Sequence, residues 1–259
     1  MKLRLNPANT GVQWVRKGVQ TFMKQPVAMS GLFLMFLATM SLLGAIPWVG
    51  SALALVLLPA ATVGLMVASA EAADGKFPLP KVLFIAFLRG TAQVKSMLLL
   101  GVIYAVAFLL VLALTTLADG GQFAKLYLTG GTLTEELLLD ERFTQAALLA
   151  VLLYLPLSMA FWHAPALVHW NGVSPIKSLF FSIVACMRNF WAYTVFGITW
   201  VSAFIVASTV IAILVAILGQ PQWVGFMLFP TIMLFATMFF CSIFFTFKDC
   251  FDNDTGEAL

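Results

Sequence analysis

The chain has 259 residues, of which 62% are hydrophobic and only 10% are charged, and its mean hydropathy is +1.01. A soluble domain needs more charged residues to cover its surface, so this composition excludes a soluble domain and predicts a polytopic membrane protein. The formal net charge is +3. Because most of the length lies in apolar runs that can cross a bilayer, we expect a single membrane domain over residues 1–259.

The first predicted element is a basic amphipathic helix over residues 12–24. Its polar side chains recur at the spacing of one helix face, and apolar side chains occupy the opposite side. A helix with this pattern is expected to lie along the membrane interface. The polar stripe comprises Gln13, Arg16, Lys17, Gln20 and Lys24, and the apolar side comprises Val12, Val15, Val19, Phe22 and Met23.

Six apolar runs along the chain are each long enough to span a membrane as a helix. None of them contains Asp, Glu, Lys or Arg. A single charge at the centre of a span costs about 2.5–3.5 kcal/mol on insertion scales, so these uncharged runs insert without assistance. The predicted spans are residues 27–46, 50–70, 97–117, 146–167, 193–218 and 224–247.

One order of elements occurs three times: a basic stretch, an apolar run, and a second apolar run that contains a proline. Each proline removes a backbone donor and is expected to kink its helix. The basic stretches are residues 12–24, 79–95 and 176–189, and the prolines are Pro59, Pro156 and Pro230.

We therefore predict an all-α fold of six transmembrane helices, arranged as three units of an interfacial amphipathic helix plus two spans. The second interfacial helix is the least regular, and Arg89-Gly90-Thr91 is expected to bend it. Met23-Lys24-Gln25 resembles Met187-Arg188-Asn189, and each precedes a span. Common ancestry of the units is left open. The units cover roughly residues 12–75, 79–172 and 176–249.

The basic residues predict the orientation. Six spans put both termini and the linkers around 71–96 and 168–192 on one side, where 12 of the 14 Lys and Arg residues fall. The positive-inside rule makes that side cytoplasmic. We therefore predict a multi-pass protein of the bacterial inner membrane with both termini in the cytoplasm. On the opposite side, Thr132-x-x-Glu135 in the 118–145 loop has capping-box spacing and predicts a helix that can run into the fourth span.

Seven basic residues are candidate contacts for anionic lipid headgroups or for a membrane-protein partner. Near an anionic leaflet each is worth roughly 1 kcal/mol, so the three in the first stretch supply about 3 kcal/mol, enough to orient a tethered helix. Ordinary positive-inside flanking of the spans is the alternative explanation. The candidates are Arg16, Lys17, Lys24, Lys81, Arg89, Lys177 and Arg188.

Groups able to carry out chemistry are scarce. His163 and His169 are the only histidines and point to different sides of a helix, and the three cysteines are widely spaced. We therefore expect no metal site, no cofactor and no enzymatic activity, and no nucleic acid partner. Tyr154, Ser158 and His163 are candidates to line a cavity between kinked spans, with hydrogen-bonded packing as the alternative role for His163.

Several short motifs resemble those of a known family. They are Gly11-x-x-Trp14-x-x-x-Gly18, the Ala-Pro-Ala-Leu-Val run at residues 164–168, Pro175-x-Lys177 and the pair Arg188-Asn189. Over essentially its whole length the chain resembles an uncharacterised family of proteobacterial inner-membrane proteins of about this size. The resemblance implies a six-span membrane protein and brings no activity with it.

Two classes of function fit these features. The leading hypothesis is a non-enzymatic inner-membrane protein that acts as an accessory or scaffold subunit of a membrane complex, or that organises lipid through its basic helices. The competing hypothesis is a transporter or lipid-translocation protein that uses a cavity between the proline-kinked spans.

Overall fold

The structure is a computed structural model that describes residues 2–219 and 223–252 of the chain. Within these ranges the strand residues form two short segments, β1 (Lys2–Leu3) and β2 (Phe251–Asp252). A 3₁₀-helix covers Pro80–Phe87. The α-helices, in chain order, are α1 (Thr10–Lys24), α2 (Pro26–Gly44), α3 (Gly50–Ala73), α4 (Thr91–Asp119), α5 (Gln122–Thr129), α6 (Glu135–Leu139), α7 (Glu141–Phe161), α8 (Ala164–Asn171), α9 (Pro175–Arg188), α10 (Phe190–Ile217) and α11 (Trp223–Cys250).

Six segments of the described chain are long and apolar enough to cross a membrane, which confirms the predicted all-α fold with six spans. They are α2, α3, α4, α7 together with α8, α10 and α11. The third span begins earlier than predicted, because α4 starts at Thr91 rather than at Met97. The three prolines lie inside helices: Pro59 in α3, Pro156 in α7 and Pro230 in α11.

The chain divides into two compact units. The terminal unit comprises the described residues of Met1–Ala38, Ala61–Ala86 and Val184–Leu259, and the central unit comprises Thr39–Ala60 and Phe87–Ile183. In the terminal unit β1 pairs with β2 in antiparallel register, so the first and last described residues lie side by side. The predicted arrangement of three consecutive units of two spans stays a prediction.

In the terminal unit α1 packs against α10 and α11. A Cβ atom on Gly11 would collide with the carbonyl oxygen of Ala192, and a Cβ atom on Gly18 would lie 2.8 Å from the Cα atom of Ser242. Trp14, on the same helix face, is completely buried. The Gly11-x-x-Trp14-x-x-x-Gly18 motif therefore brings helices together, because a residue with a side chain does not fit at either glycine.

The prediction of an amphipathic α-helix over residues 79–95 is wrong. Pro80–Phe87 form the 3₁₀-helix, and Gly90, with a φ of 101°, separates it from α4. The proline and the glycine confine the helical segment to this short length. Its backbone packs closely on α3, where a Cβ atom on Gly64 would lie 2.6 Å from the Cα atom of Leu83. The expected bend at Gly90 is present.

The predicted fourth span over residues 146–167 is confirmed, but its helix is interrupted between α7 and α8. The Ser182 hydroxyl accepts a hydrogen bond from the backbone N–H of His163 at 2.9 Å and donates one to the carbonyl of Met159 at 2.7 Å. It therefore replaces the backbone hydrogen bond that a continuous helix makes between these two residues. Pro165 lies in the first turn of α8, where its missing N–H costs nothing.

The loop over residues 118–145 contains separate short helices rather than one helix that runs into the fourth span. Thr134, not Thr132, caps α6, and its hydroxyl oxygen accepts a hydrogen bond from a backbone N–H of the first turn at 3.4 Å. Asp140 then ends α6 with an extended backbone and caps α7, where its carboxylate accepts from the N–H of Arg142 at 2.8 Å. The two caps prevent α6 from continuing into α7.

Candidate functional site

The exposed face of α1, which does not pack against the rest of the protein, carries two strips of side chains that run side by side along the helix. Val12, Val19 and Met23 form an apolar strip, and the Met23 side chain is 66% exposed. A polar strip lies beside it and comprises Gln13, Arg16, Gln20 and Lys24. The apolar side predicted for this helix is therefore divided, because part of it packs into the protein while the rest faces outward. The buried face comprises Gly11, Trp14, Val15, Gly18, Thr21 and Phe22.

The three basic residues of α1 have different surroundings. Arg16 is exposed and makes no ion pair with the residues that the structure describes. The Lys17 ammonium lies 2.8 Å from a carboxylate oxygen of Asp249, which also accepts a hydrogen bond from a buried indole. Lys24 is exposed and donates to the last backbone carbonyl of α3 at 2.5 Å. Arg16 and Lys24 thus carry the charge on the exposed face of α1. Lys17 instead links α1 to α11 through its ion pair with Asp249.

The exposed face of α9 has a similar apolar strip, with one basic residue beside it near each end of the helix. Its apolar strip comprises Ile176, Phe180 and Met187, and Met187 is 63% exposed. Lys177 and Arg188 are exposed beside it. The buried face of α9 carries mainly small residues, which are Pro175, Ser178, Ser182, Ala185 and Cys186.

The burial patterns of α1 and α9 are nearly the same. When Met23-Lys24-Gln25 is aligned with Met187-Arg188-Asn189, the burial of residues 11–24 and residues 175–188 agrees at all but two positions. Gly18 then corresponds to Ser182, and both lie on the buried face. The similarity that the sequence shows at three residues therefore extends over the whole of each helix.

Lys81 and Arg89, the candidates from the second basic stretch, are both exposed. The Arg89 guanidinium donates to the backbone carbonyl of His169 at 3.0 Å, and the Gln93 side chain donates to the same oxygen at 2.6 Å. This carbonyl is among those that the end of α8 leaves without an intrahelical partner. Arg89 therefore caps α8 as well as presenting charge.

Asn189, the second residue of the Arg188-Asn189 pair, is a hydrogen-bonding centre between α9 and α10, a role that the sequence did not predict. Its side chain is 2% exposed. Its oxygen accepts from the backbone N–H of Asn6 at 2.7 Å, and its amide nitrogen donates to the carbonyls of Arg4 at 3.2 Å and Ala185 at 3.0 Å. The sequence feature that could have indicated this role is an amide side chain at the junction of two apolar helices, where its polar atoms need several hydrogen-bond partners.

Cys186 lies on the buried face of α9. Burial raises the pKa of its thiol to about 12, so the thiol stays protonated at neutral pH. The thiolate is the reactive form of cysteine, and this residue is therefore unreactive.

The central unit contains a cavity of about 360 Å³, which we call the tyrosine cavity. The ring of Phe108 lies 6.0 Å from that of Tyr104, 5.4 Å from that of Tyr127 and 6.1 Å from that of Tyr154. Burial raises the pKa of Tyr127, which keeps its hydroxyl protonated. The other residues that line it are Leu58, Val111, Leu112, Phe123, Ala150 and Val151.

The three candidate cavity residues are not together. Tyr154 lines the tyrosine cavity. Ser158 lies one turn further along α7, where its hydroxyl donates to the carbonyl of Leu155 at 2.7 Å. His163 is completely buried at the break between α7 and α8. Neither Ser158 nor His163 is among the described residues that line the cavity.

Over 247 residues the sequence is 36% identical to a probable inner membrane protein of Burkholderia thailandensis. The match covers 94% of this chain and 92% of the relative. No family model matches the chain. No solved structure matches it either.

Proposed function

This chain belongs to the uncharacterised family of proteobacterial inner-membrane proteins that includes the Burkholderia thailandensis relative, and from that premise we propose that it organises anionic lipid at the cytoplasmic face. It does so without catalysis, as an accessory or scaffold protein of a membrane complex. The paired apolar and basic strips of α1 carry this proposal.

The chemistry of these strips fits the boundary between headgroups and acyl chains. A helix in the plane of that boundary buries its apolar side chains among the acyl chains and extends its basic side chains to the phosphates. On α1, Met23 and Val12 are exposed next to Arg16 and Lys24. In water such exposed apolar side chains have no favourable contact, whereas a lipid surface supplies contacts to both strips.

A similar arrangement on α9 supports the proposal independently. Ile176 and Met187 are exposed beside Lys177 and Arg188. Simple positive-inside flanking requires basic residues near the spans but does not require an exposed apolar strip next to them. The two helices are therefore better explained as lipid-contacting elements than as flanking charge.

The orientation that this function requires places both termini in the cytoplasm. The pairing of β1 with β2 supports termini on a common side, and the 12 basic residues predicted for that side support the cytoplasm. A reporter inserted after Gly130 is expected to be active as a periplasmic fusion, and one inserted after Gly75 as a cytoplasmic fusion. A cytoplasmic readout at Gly130 contradicts the orientation.

Removing the charge on the exposed face of α1 tests the lipid contact. The double variant Arg16→Gln/Lys24→Gln leaves the ion pair of Lys17 with Asp249 in place. Because each basic residue near an anionic leaflet contributes roughly 1 kcal/mol, we expect the anionic lipid retained on purification to fall at least about fivefold. The measurement is mass spectrometry of the lipids and proteins that remain with the full chain in mild detergent.

The control for this experiment is the double variant Lys125→Gln/Arg142→Gln. It removes the same amount of charge from two exposed residues of the opposite loop. It should retain as much anionic lipid as the unchanged protein. Equal retention by the unchanged protein and the Arg16→Gln/Lys24→Gln variant rejects the role of α1 in binding lipid.

Transport or lipid translocation is the second candidate, and the tyrosine cavity is the observation that favours it. The purification described above separates the two. Stoichiometric recovery of another membrane protein supports the accessory function. Recovery of the chain alone with one enriched uncharged solute or lipid supports translocation.

A further inference from the structure

The tyrosine cavity combines an apolar wall with hydroxyl groups that converge on one region. Tyr104, Tyr127 and Tyr154 all contact the ring of Phe108. Tyr104 and Tyr154 come from the spans α4 and α7, and Tyr127 comes from the short helix α5, so three phenols surround a single ring. A pocket that is mostly apolar, with a few polar groups held in fixed positions, is the usual form of a small-molecule site. The cavity volume of about 360 Å³ is also within the usual range for such sites.

A second cavity of about 220 Å³ adjoins the tyrosine cavity. Leu58, Phe108 and Tyr127 line both cavities, so they form adjacent parts of one apolar region. The second cavity extends this region along α2 and α3 past Met40 and Leu55. A molecule with an apolar tail therefore has room for the tail beyond the tyrosine hydroxyls.

The lining excludes a charged ligand. No Asp, Glu, Lys, Arg or His is among the described residues that line either cavity. Moving an unpaired charge into such surroundings is strongly unfavourable. A hydroxyl or carbonyl group, in contrast, finds hydrogen-bonding partners among the tyrosines, since a phenolic hydroxyl both donates and accepts.

The tyrosines differ in how exposed they are, so the cavity has a mouth and an interior. Tyr104 is 6% exposed, whereas Tyr127, on α5, is 61% exposed. Tyr127 therefore lies at the mouth and Tyr104 in the interior. Aromatic contacts hold all three rings to Phe108, so little side-chain freedom is lost when a ligand binds.

We propose that the tyrosine cavity binds an uncharged membrane amphiphile whose hydroxyl or carbonyl group hydrogen-bonds to the tyrosines and whose apolar tail occupies the adjoining cavity. Lipid-soluble quinones and diacylglycerols both have this chemistry. The proposal is independent of the lipid contact of α1 and α9, because it concerns a neutral ligand and a different part of the chain.

Binding of two neutral probes and one charged probe tests the proposal. The probes are decylubiquinone, dioctanoylglycerol and dioctanoyl phosphatidate, added to the full chain in dodecyl maltoside and measured by native mass spectrometry at graded concentrations. Saturable binding of one molecule per chain is expected for at least one neutral probe, and the probe that binds identifies the source of the ligand. Absence of saturable binding by both neutral probes, or displacement of the bound neutral probe by an equal concentration of phosphatidate, overturns the proposal.

Variants then locate the binding to the cavity. The triple variant Tyr104→Phe/Tyr127→Phe/Tyr154→Phe keeps the rings and removes the hydroxyls, and should weaken binding at least about tenfold, since one lost hydrogen bond is worth roughly fivefold. Ala150→Trp fills the cavity and should abolish binding. Tyr193→Phe, the same change in the terminal unit, is the control and should bind as the unchanged protein does. Unaltered affinity in the triple variant overturns the proposal even if Ala150→Trp fails to fold.

Discussion

Replacing Gly18 by alanine is expected to lower the midpoint of thermal unfolding by roughly 6–12 °C. The added Cβ atom would lie 2.8 Å from the Cα atom of Ser242 and 2.9 Å from its backbone nitrogen. Backbone atoms cannot rotate away as a flexible side chain can, so α1 and α11 must separate. Overpacking of this kind costs about 3 kcal/mol, and each kcal/mol shifts the midpoint by roughly 2–4 °C in a chain of this size. Gly11→Ala should have a similar effect through the backbone of Ala192.

The control variants are Gly31→Ala in α2 and Gly197→Ala in α10. A Cβ atom at either position meets no other atom within 4 Å. Alanine is the better helix former, so these two changes should leave the midpoint unchanged or raise it slightly. The midpoints are measured by thermal unfolding of the full chain in detergent. If Gly18→Ala unfolds at the same temperature as Gly197→Ala, the close packing of α1 on α11 is not a source of stability.

Replacing Asn189 by alanine is expected to destabilise the protein by about 2–3 kcal/mol. The change removes the acceptor of the Asn6 N–H and one donor to the Arg4 carbonyl. A polar group that loses its partner in a buried setting costs about 1–3 kcal/mol, and the partial exposure of Asn6 reduces its share. The loss should appear as a lower midpoint of thermal unfolding and as faster hydrogen exchange at the Asn6 amide.

Asn9→Ala is the matched control for this prediction. Asn9 is exposed at the start of α1, and its side chain makes no capping hydrogen bond. The same chemical change there should alter stability by no more than about 0.5 kcal/mol. Unchanged exchange at Asn6 in the Asn189→Ala variant contradicts the role of Asn189 as the anchor of the amino-terminal segment.

The position of α1 shows where prediction from sequence reached its limit. The polar and apolar sides of the helix were correctly expected, because amphipathic spacing is a local property. The buried face, however, contains Gly11 and Gly18, which a hydrophobic pattern treats as neutral. Their importance arises from how close the backbones of α10 and α11 approach, which depends on residues far away in the chain.

The break in the fourth span shows the same limit. Prolines marked this region as irregular, yet Pro156 remains inside α7 and the break occurs at His163. The hydroxyl that replaces the missing backbone hydrogen bond comes from Ser182, on another helix. A helix can bend or stop wherever a neighbouring side chain satisfies its backbone, and that neighbour is known only from the tertiary structure.

The tyrosine cavity could also not be predicted from the sequence alone. Tyr154 stood out as a polar group within an apolar span, but its grouping with Tyr104 and Tyr127 depends on how α5 folds back toward α4 and α7. The pairing of residues on separate helices has no signature in a single sequence.

By itself the sequence determined that this is an all-α membrane protein with six spans, because crossing a bilayer requires only length and apolarity in each segment. The tertiary structure decided which side chains remain outside. It buries Trp14 and ties Lys17 to Asp249, while Arg16 and Met23 stay on the surface. The reason is that burial depends on close contact between helices distant in the chain, whereas insertion depends on each helix alone.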